Sequence, residues 1–262
     1  MRYRKDGARI ARALIAAIVL TAAPPVATRL GAGPLKVRTL SAGLGYEYLA
    51  RTVTWGEDPD ASRFQASLIS ARAEIGFAKG IVLSLSAGLA LTDLSSATFN
   101  NLPISLRYDG APLSGFTFGA EALVPVRRFS DFEISGTGRF VYSFGMKRTW
   151  PLEGFAVEGQ AEGSADWMEA AIGPRVAYLG FDKIRPFLEI SCRWLHTGFA
   201  MTETLDDLTG RETKRASKLS AGVALGAEAE LSGRISFEAR AGFVSRAGGV
   251  DGLAVAGLRY KF

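Results

Sequence analysis

Any acid–base catalysis by a histidine would have to centre on His196, the only histidine in 262 residues. A histidine of this kind needs an acid to orient it and a nucleophile to deprotonate. The local sequence, Leu195-His196-Thr197, has no aspartate two residues away. On a strand it therefore has no carboxylate partner on its own face. Gly198 stands where a serine two residues on would share that face. Asp206 and Asp207 are adjacent, so on a strand their side chains point apart and do not make a carboxylate pair. One histidine and one cysteine, Cys192, fall short of a zinc-type ligand set, and no metal or other cofactor is expected. The single cysteine also excludes an internal disulfide framework. Asp206, Asp207, Arg211, Glu212, Lys214 and Arg215 read as a solvated surface run, able to meet phosphate groups or a partner.

The residues that must be positioned lie on alternating segments. Period-two alternation predicts strands near Val37–Trp55, Phe64–Phe77, Ile81–Leu91, Gly115–Val126, Phe132–Met146, Trp167–Leu179, Arg185–Met201, Lys218–Leu231 and Arg234–Val244, with a last one ending at Phe262. Each has an apolar face and a polar one. In the second, Ile69, Ala71, Ala73 and Ile75 oppose Ser70, Arg72 and Glu74. In the ninth, Ile235, Phe237 and Phe243 oppose Ser236, Glu238 and Arg240. The connections alternate in length. Those near Ala78–Gly80, Arg127–Asp131, Gly180–Ile184 and Ser232–Gly233 are short. Those near Gly56–Ala61, Thr92–Pro112, Lys147–Ala165 and Thr202–Ser217 are mostly longer and more polar, while the last, about Arg246–Val250, is short although it falls on the same side.

Composition agrees with dispersed apolar faces. Hydrophobic residues make up 48% of the chain and charged residues 22%, yet mean hydropathy is positive at +0.13. Glycine, with 30 residues, falls within strand-like runs, as in Ser41-Ala42-Gly43-Leu44-Gly45-Tyr46. Glycine there suits tight curvature and inward positions. The amino terminus carries Arg2, Arg4, Lys5, Arg9 and Arg12 before a small-apolar run from Ala13 to Ala23. This is the layout of a secretory signal peptide, and the run is too short for a spanning helix.

The closing residues, Gly257-Leu258-Arg259-Tyr260-Lys261-Phe262, put Leu258, Tyr260 and Phe262 on one face and Arg259 and Lys261 on the other. A glycine, alternate aromatics and a terminal aromatic resemble the closing strand of the bacterial outer-membrane β-barrel superfamily. The resemblance implies an all-β fold, a closed antiparallel transmembrane barrel of about ten strands within a range of roughly eight to twelve. The basic opening, the apolar run and the first alternating segment set residues 1–27 as signal peptide, 28–36 as a short N-terminal segment and 37–262 as the barrel. The resemblance also implies export to the outer membrane of a Gram-negative-type bacterium, with outer-membrane lipid and lipopolysaccharide around the barrel. Gly257, Tyr260 and Phe262 would be the signal read by the barrel-assembly machinery. No nucleic-acid partner is expected.

Within such a barrel the polar faces assemble a lumen charge network of Glu47, Arg72, Glu74, Glu121, Glu133, Arg139, Glu169, Arg175, Glu189, Arg193, Glu228, Glu230, Glu238, Arg240 and Arg259. A barrel this narrow can be filled by its own side chains. Glutamates and arginines at similar heights then pair across the interior, because an unpaired charge there is costly. A structural or surface-interaction role with a mostly plugged polar lumen follows; a narrow ion or small-solute channel and a surface lipid hydrolase are the alternatives. The sequence does not match the site of the omptin proteases, which use aspartate pairs and an aspartate–histidine pair at the surface rim. It does not match the lipid A deacylase pattern either, because Gly198 replaces the serine. His196 then reads as an interfacial histidine beside Trp194 and Phe199 in the aromatic belt.

Deleting Phe262 should lower the amount of barrel inserted in cells at ordinary expression, measured in outer-membrane fractions. Normal insertion would contradict an assembly role for the terminal aromatic.

Overall fold

A sheet crossing lipid has no water to satisfy its edge amides, so it must close on itself. The computed structural model describes residues 36–55, 61–109, 112–152, 159–246 and 249–262. The expected signal peptide, and the segment after it up to residue 35, lie outside the described residues. The strands are β1 (Val37–Thr54), β2 (Ala61–Phe77), β3 (Val82–Phe99), β4 (Leu106–Asp109), β5 (Leu113–Phe129), β6 (Phe132–Leu152), β7 (Gly159–Tyr178), β8 (Ile184–Leu205), β9 (Leu208–Glu230), β10 (Ile235–Arg246) and β11 (Gly249–Lys261). Ten of them form a closed antiparallel ring in chain order; β4 stands apart and pairs only with β3. The β1–β11 seam runs from Ser41 opposite Lys261 to Leu49 opposite Leu253. Phe262 adds one more bond, its amide donating to the Leu40 carbonyl at 3.0 Å.

The turns on the side where β1 begins and β11 ends are tight. Lys79, Gly80 and Ser130 take positive φ of 71°, 77° and 50° there. Inward glycines let strands coil closely. A Cβ on Gly43 would stand 2.0 Å from the Leu258 carbonyl oxygen, and one on Gly173 1.9 Å from that of Ile190. Glycine is therefore required at both.

The strands extend well past the bilayer. β8 has 22 residues and β9 has 23, about twice the roughly 9–11 that a tilted strand needs to span it. This corrects the sequence reading at three connections. Thr202–Ser217 is a hairpin turning at Asp206-Asp207, not an open loop. Lys147–Ala165 and Thr92–Pro112 likewise contain long continuations of β6, β7 and β3, plus β4. The reason is an inversion of polarity along each strand. In the bilayer zone the outward residues are apolar, as with the exposed Ile69, Leu85, Ile190 and Leu225. Nearer the long-loop end the same outward parity carries Arg63, Gln65 and Ser67 on β2, and Thr213 and Arg215 on β9. Inward residues there become apolar: Phe64, Leu68, Trp167, Phe199 and Met201 are buried. Lipid surrounds the lower zone and water the upper one, so each zone hides what its own surroundings reject. The outward faces lose their apolar alternation at that boundary.

Aromatic rings border the lipid zone. Phe129, Phe132, Tyr178 and Phe181 pack in sequence on the short-turn side, as do Tyr260 and Phe262. Phe116, Phe118, Tyr142 and Phe144 cluster on the other side. Such belts suit the two membrane interfaces.

Phe237 faces outward among Ala229 and Leu258, while its neighbour Ser236 faces a polar vestibule of about 420 Å³. Phe237→Arg should therefore destabilise the barrel by about 1–2 kcal/mol, between the midplane and interface costs of a lipid-facing arginine, because Phe237 lies one outward step in from Ile235, the partner of Tyr260 in the aromatic belt. Ser236→Arg should cost far less, since the vestibule has room. Urea unfolding in lipid vesicles checks this; equal losses would contradict the assignment of the two faces.

Candidate functional site

The inward faces of the lipid zone bring glutamates and arginines from different strands to shared heights. Nearest the long-loop end, Glu169 on β7 accepts from Arg51 Nη2 at 2.7 Å and from Arg193 Nη2. Arg139 Nη1 lies 4.0 Å from it and Arg139 also pairs with Glu47. One step down, Arg72 reaches Glu121 at 3.2 Å and Glu238 at 3.8 Å. Arg240 lies 3.5 Å from Glu121 and 3.3 Å from Glu189. Lower still, Arg259 reaches Glu74 at 2.9 Å and Glu228 at 3.8 Å. Arg175 pairs with Glu228 at 2.6 Å and sits over the Phe187 ring, its Cζ 3.4 Å from the centroid. The remaining two of the fifteen sequence candidates sit toward the mouth. Glu133 accepts from Ser135, and Glu230 lines the vestibule.

Several of these groups are buried to within a few per cent, including Arg51, Glu169, Arg193, Glu189 and Arg240. Arginine stays charged in such surroundings, so each guanidinium must be answered by carboxylates. The answers are shared: Glu169 serves three arginines and Arg259 faces three glutamates. A cavity of about 60 Å³ lies between Glu47, Arg72, Glu121, Arg139 and Arg240. It has room for a few waters, at roughly 10–15 Å³ of such volume each. Sequence reasoning missed Arg51, which is 2% exposed. Continuing the alternation Glu47, Leu49, Arg51 past the bilayer would have found it.

Above the charged tiers the lumen is closed by apolar side chains. Trp167 packs edge-on to Phe64 at 5.5 Å and donates from Nε1 to Thr92 at 3.0 Å. Phe99, Tyr108, Trp150 and Phe199 continue the stack. The β3–β4 connection is strapped over them by two carboxylates of the β8–β9 hairpin. Ile104 N donates to Glu203 at 3.0 Å, and Asn101 N to Glu212 at 2.8 Å. Burial pushes the Tyr108 phenol up to about 12, so it remains neutral within the plug. The lumen is polar only in its lipid zone. Glu212 and Lys214 face inward beneath the strap rather than belonging wholly to a solvated run, with Lys214 Nζ 5.7 Å from the Phe99 ring.

His196 points outward at the long-loop border of the lipid zone, stacked on Trp194 with centroids 6.0 Å apart. Trp194 Nε1 donates to Ser217 Oγ at 2.7 Å. Phe199 is not beside them; it is 2% exposed and lies in the inner plug. Cys192 is exposed on the lipid face.

No family model matches the sequence, and no curated protein matches it significantly. Among solved structures, the outer membrane protease OmpT from Escherichia coli aligns with a TM-score of 0.51 and 12% identity, over 88% of this chain and 99% of that one. The β domain of the Bordetella autotransporter BrkA aligns at 0.42 with 11% identity, over 87% of this chain and all of that one. Ail, the attachment invasion locus protein of Yersinia pestis, aligns at 0.34 with 11% identity, over 85% and 98%. The fold is that of the bacterial outer-membrane β-barrels. At 12% identity the likeness to OmpT concerns architecture alone. Tight turns at one end and longer connections at the other are the general pattern of barrels with this fold.

Among the described residues, Glu169 is the carboxylate shared by the most arginines. Glu169→Ala would strand Arg51 and Arg193 in a buried site and should cost about 3–5 kcal/mol. Glu230→Ala, at the open mouth, should cost less than about 1 kcal/mol. Equilibrium unfolding in vesicles compares the two, and a small Glu169 effect would show that the tiers contribute little to stability.

Proposed function

We propose that this chain is an integral protein of the outer membrane of a Gram-negative-type bacterium whose lumen is sealed and whose role is exerted at the outer surface. The observation that carries the reading is the double closure of the interior. The vestibule of about 420 Å³ opens at the end where β1 begins and β11 ends, and reaches up to Arg72, Glu121 and Glu238. There it meets crossed ion pairs, and beyond them the apolar plug. A hydrated ion would have to break charge pairs first and then enter a region with little to solvate it. A rearrangement of ion pairs alone leaves the second barrier standing. This favours a structural or surface-interaction role over a narrow channel.

The outer surface offers contacts suited to that role. Arg63, Arg211 and Arg215 project outward on β2 and β9, beyond the apolar zone. Cations at that height suit the phosphates of lipopolysaccharide. Outer-membrane lipid is the proposed environment of the ring below, and the assembly machinery the proposed reader of Gly257, Tyr260 and Phe262.

Folded protein reconstituted in planar bilayers should give no stepwise single-channel conductance. Reproducible steps from pure folded protein would overturn the sealed-lumen reading in favour of a narrow channel.

A further inference from the structure

We propose that Ser217, His196 and Asp166 form a hydrolytic site on the outside of the barrel, acting on acyl esters of outer-leaflet lipids. This goes beyond the sealed-lumen reading and does not depend on it. The three residues lie on three neighbouring strands, β9, β8 and β7, all on the outward face. His196 and Ser217 stand directly opposite each other in the β8–β9 ladder. Opposed residues on one face hold their Cβ atoms about 4.5–5.5 Å apart, within rotamer reach of a hydroxyl-to-imidazole hydrogen bond. Asp166 stands opposite Gly198, the next outward residue after His196. Its Oδ1 is 3.0 Å from where a Cβ on residue 198 would be, so the carboxylate leans over the bare glycine. Gly198, which removes a nucleophile from β8, thus makes room for the acid from β7. Asp166 is the diagonal neighbour of His196 across the β7–β8 ladder, since Gly198 faces Asp166 and Met168 faces His196.

Trp194 organises the pair. Its ring stacks on His196, and its Nε1 donates to Ser217 Oγ. Because Oγ accepts from the indole, the hydroxyl hydrogen is left to donate elsewhere, and a rotamer turned toward His196, opposite in the ladder, would give it that acceptor. The depth matches an ester. On the membrane side the outward residues are Cys192, Ile190, Leu219 and Val223; on the other side come Arg215 and Thr213. A lipid at this border has its acyl chain along the first group and its headgroup at the second. Arg215 stands opposite Gly198 from β9 and supplies a cation for a headgroup phosphate.

The chemistry balances without a cofactor. Ser217 Oγ attacks the ester carbonyl carbon while His196 takes the hydroxyl proton. The bond from that carbon to the lipid alcohol oxygen breaks, and the imidazolium returns the proton to the leaving alkoxide. Water, deprotonated by His196, then attacks the acyl-serine. Fatty acid leaves and Ser217 recovers its proton. Asp166 is a positioning residue that holds the imidazole and stabilises its charged form.

The full-length folded barrel should be incubated with vesicles of lipopolysaccharide and, separately, of phosphatidylethanolamine, with fatty acid release followed by mass spectrometry. Release from either vesicle type is expected, and the arm that responds identifies the lipid. Ser217→Ala and His196→Gln should each lower the rate about a thousandfold or more, with the heat-modifiable gel mobility of the folded barrel unchanged. A long-chain fluorophosphonate should add its mass to the peptide containing Ser217 and not to the Ser217→Ala protein. Asp166→Asn should lower kcat with KM unchanged. No release from either vesicle by folded protein, or release that survives Ser217→Ala, would overturn the proposal. Unchanged kcat in Asp166→Asn would remove the aspartate from the set.

Discussion

The absence of water inside a bilayer dictates this structure. Backbone amides there must all be paired within the sheet, so β11 has to find β1. The seam is made by the last residues of the chain, and Phe262 closes it against Leu40. Closure in turn assigns every strand side chain to one of two places, inside or outside. Ten strands enclose a space that side chains can fill. The charged network is therefore a consequence of curvature as much as of sequence. Large polar groups pointing into a narrow tube must meet one another, and mixed arginine and glutamate lets them meet with opposite charge.

The second constraint is that one strand passes through two solvents. Parity persists along β2, from Ser62 inward at one end to Gly76 inward at the other. Polarity does not persist: Phe64 and Leu68 fill the inside where Arg63 and Gln65 face water, and Arg72 and Glu74 fill it where Ile69 and Ile75 face lipid. Where the chain must change parity it uses a bulge. Ser96 and Gly145, with φ of 65° and 72°, mark the shifts on β3 and β6 as the strands enter the outer zone. The outer zone thus has a hydrophobic core of the kind a water-soluble β-protein builds, placed on top of a membrane barrel.

This explains which features were legible in sequence. Each of the ten barrel strands overlaps a segment read from alternation, because lipid outside and charge inside make that pattern strong. The inward charges from Glu47 to Arg259 were readable for the same reason. The outer continuations were not, since Thr202–Ser217 shows polar residues on the outward parity and resembles a loop. The plug was hidden because Phe64, Phe99, Tyr108 and Phe199 come from distant segments and become a cluster only when the ring closes. The partnership of His196 with β7 and β9 was invisible for a related reason. Local spacing tests one strand, whereas register places Ser217 and Asp166 from residues 21 ahead and 30 behind.

The two zones leave one narrow band where chemistry on lipid is physically reasonable. Deep in the bilayer, outward polar groups are too costly to keep. Inside, the charges are committed to one another and closed off by the plug. At the border between zones an outward side chain can be polar, can be wetted from above and can still touch an acyl chain below. His196, Ser217 and Asp166 occupy that band on adjacent strands, held by the same ladder that closes the barrel. The rigidity needed for an acid–base site is supplied there by sheet register rather than by a pocket. An outward site of this kind draws its substrate from the membrane plane, and a sealed lumen does not hinder it.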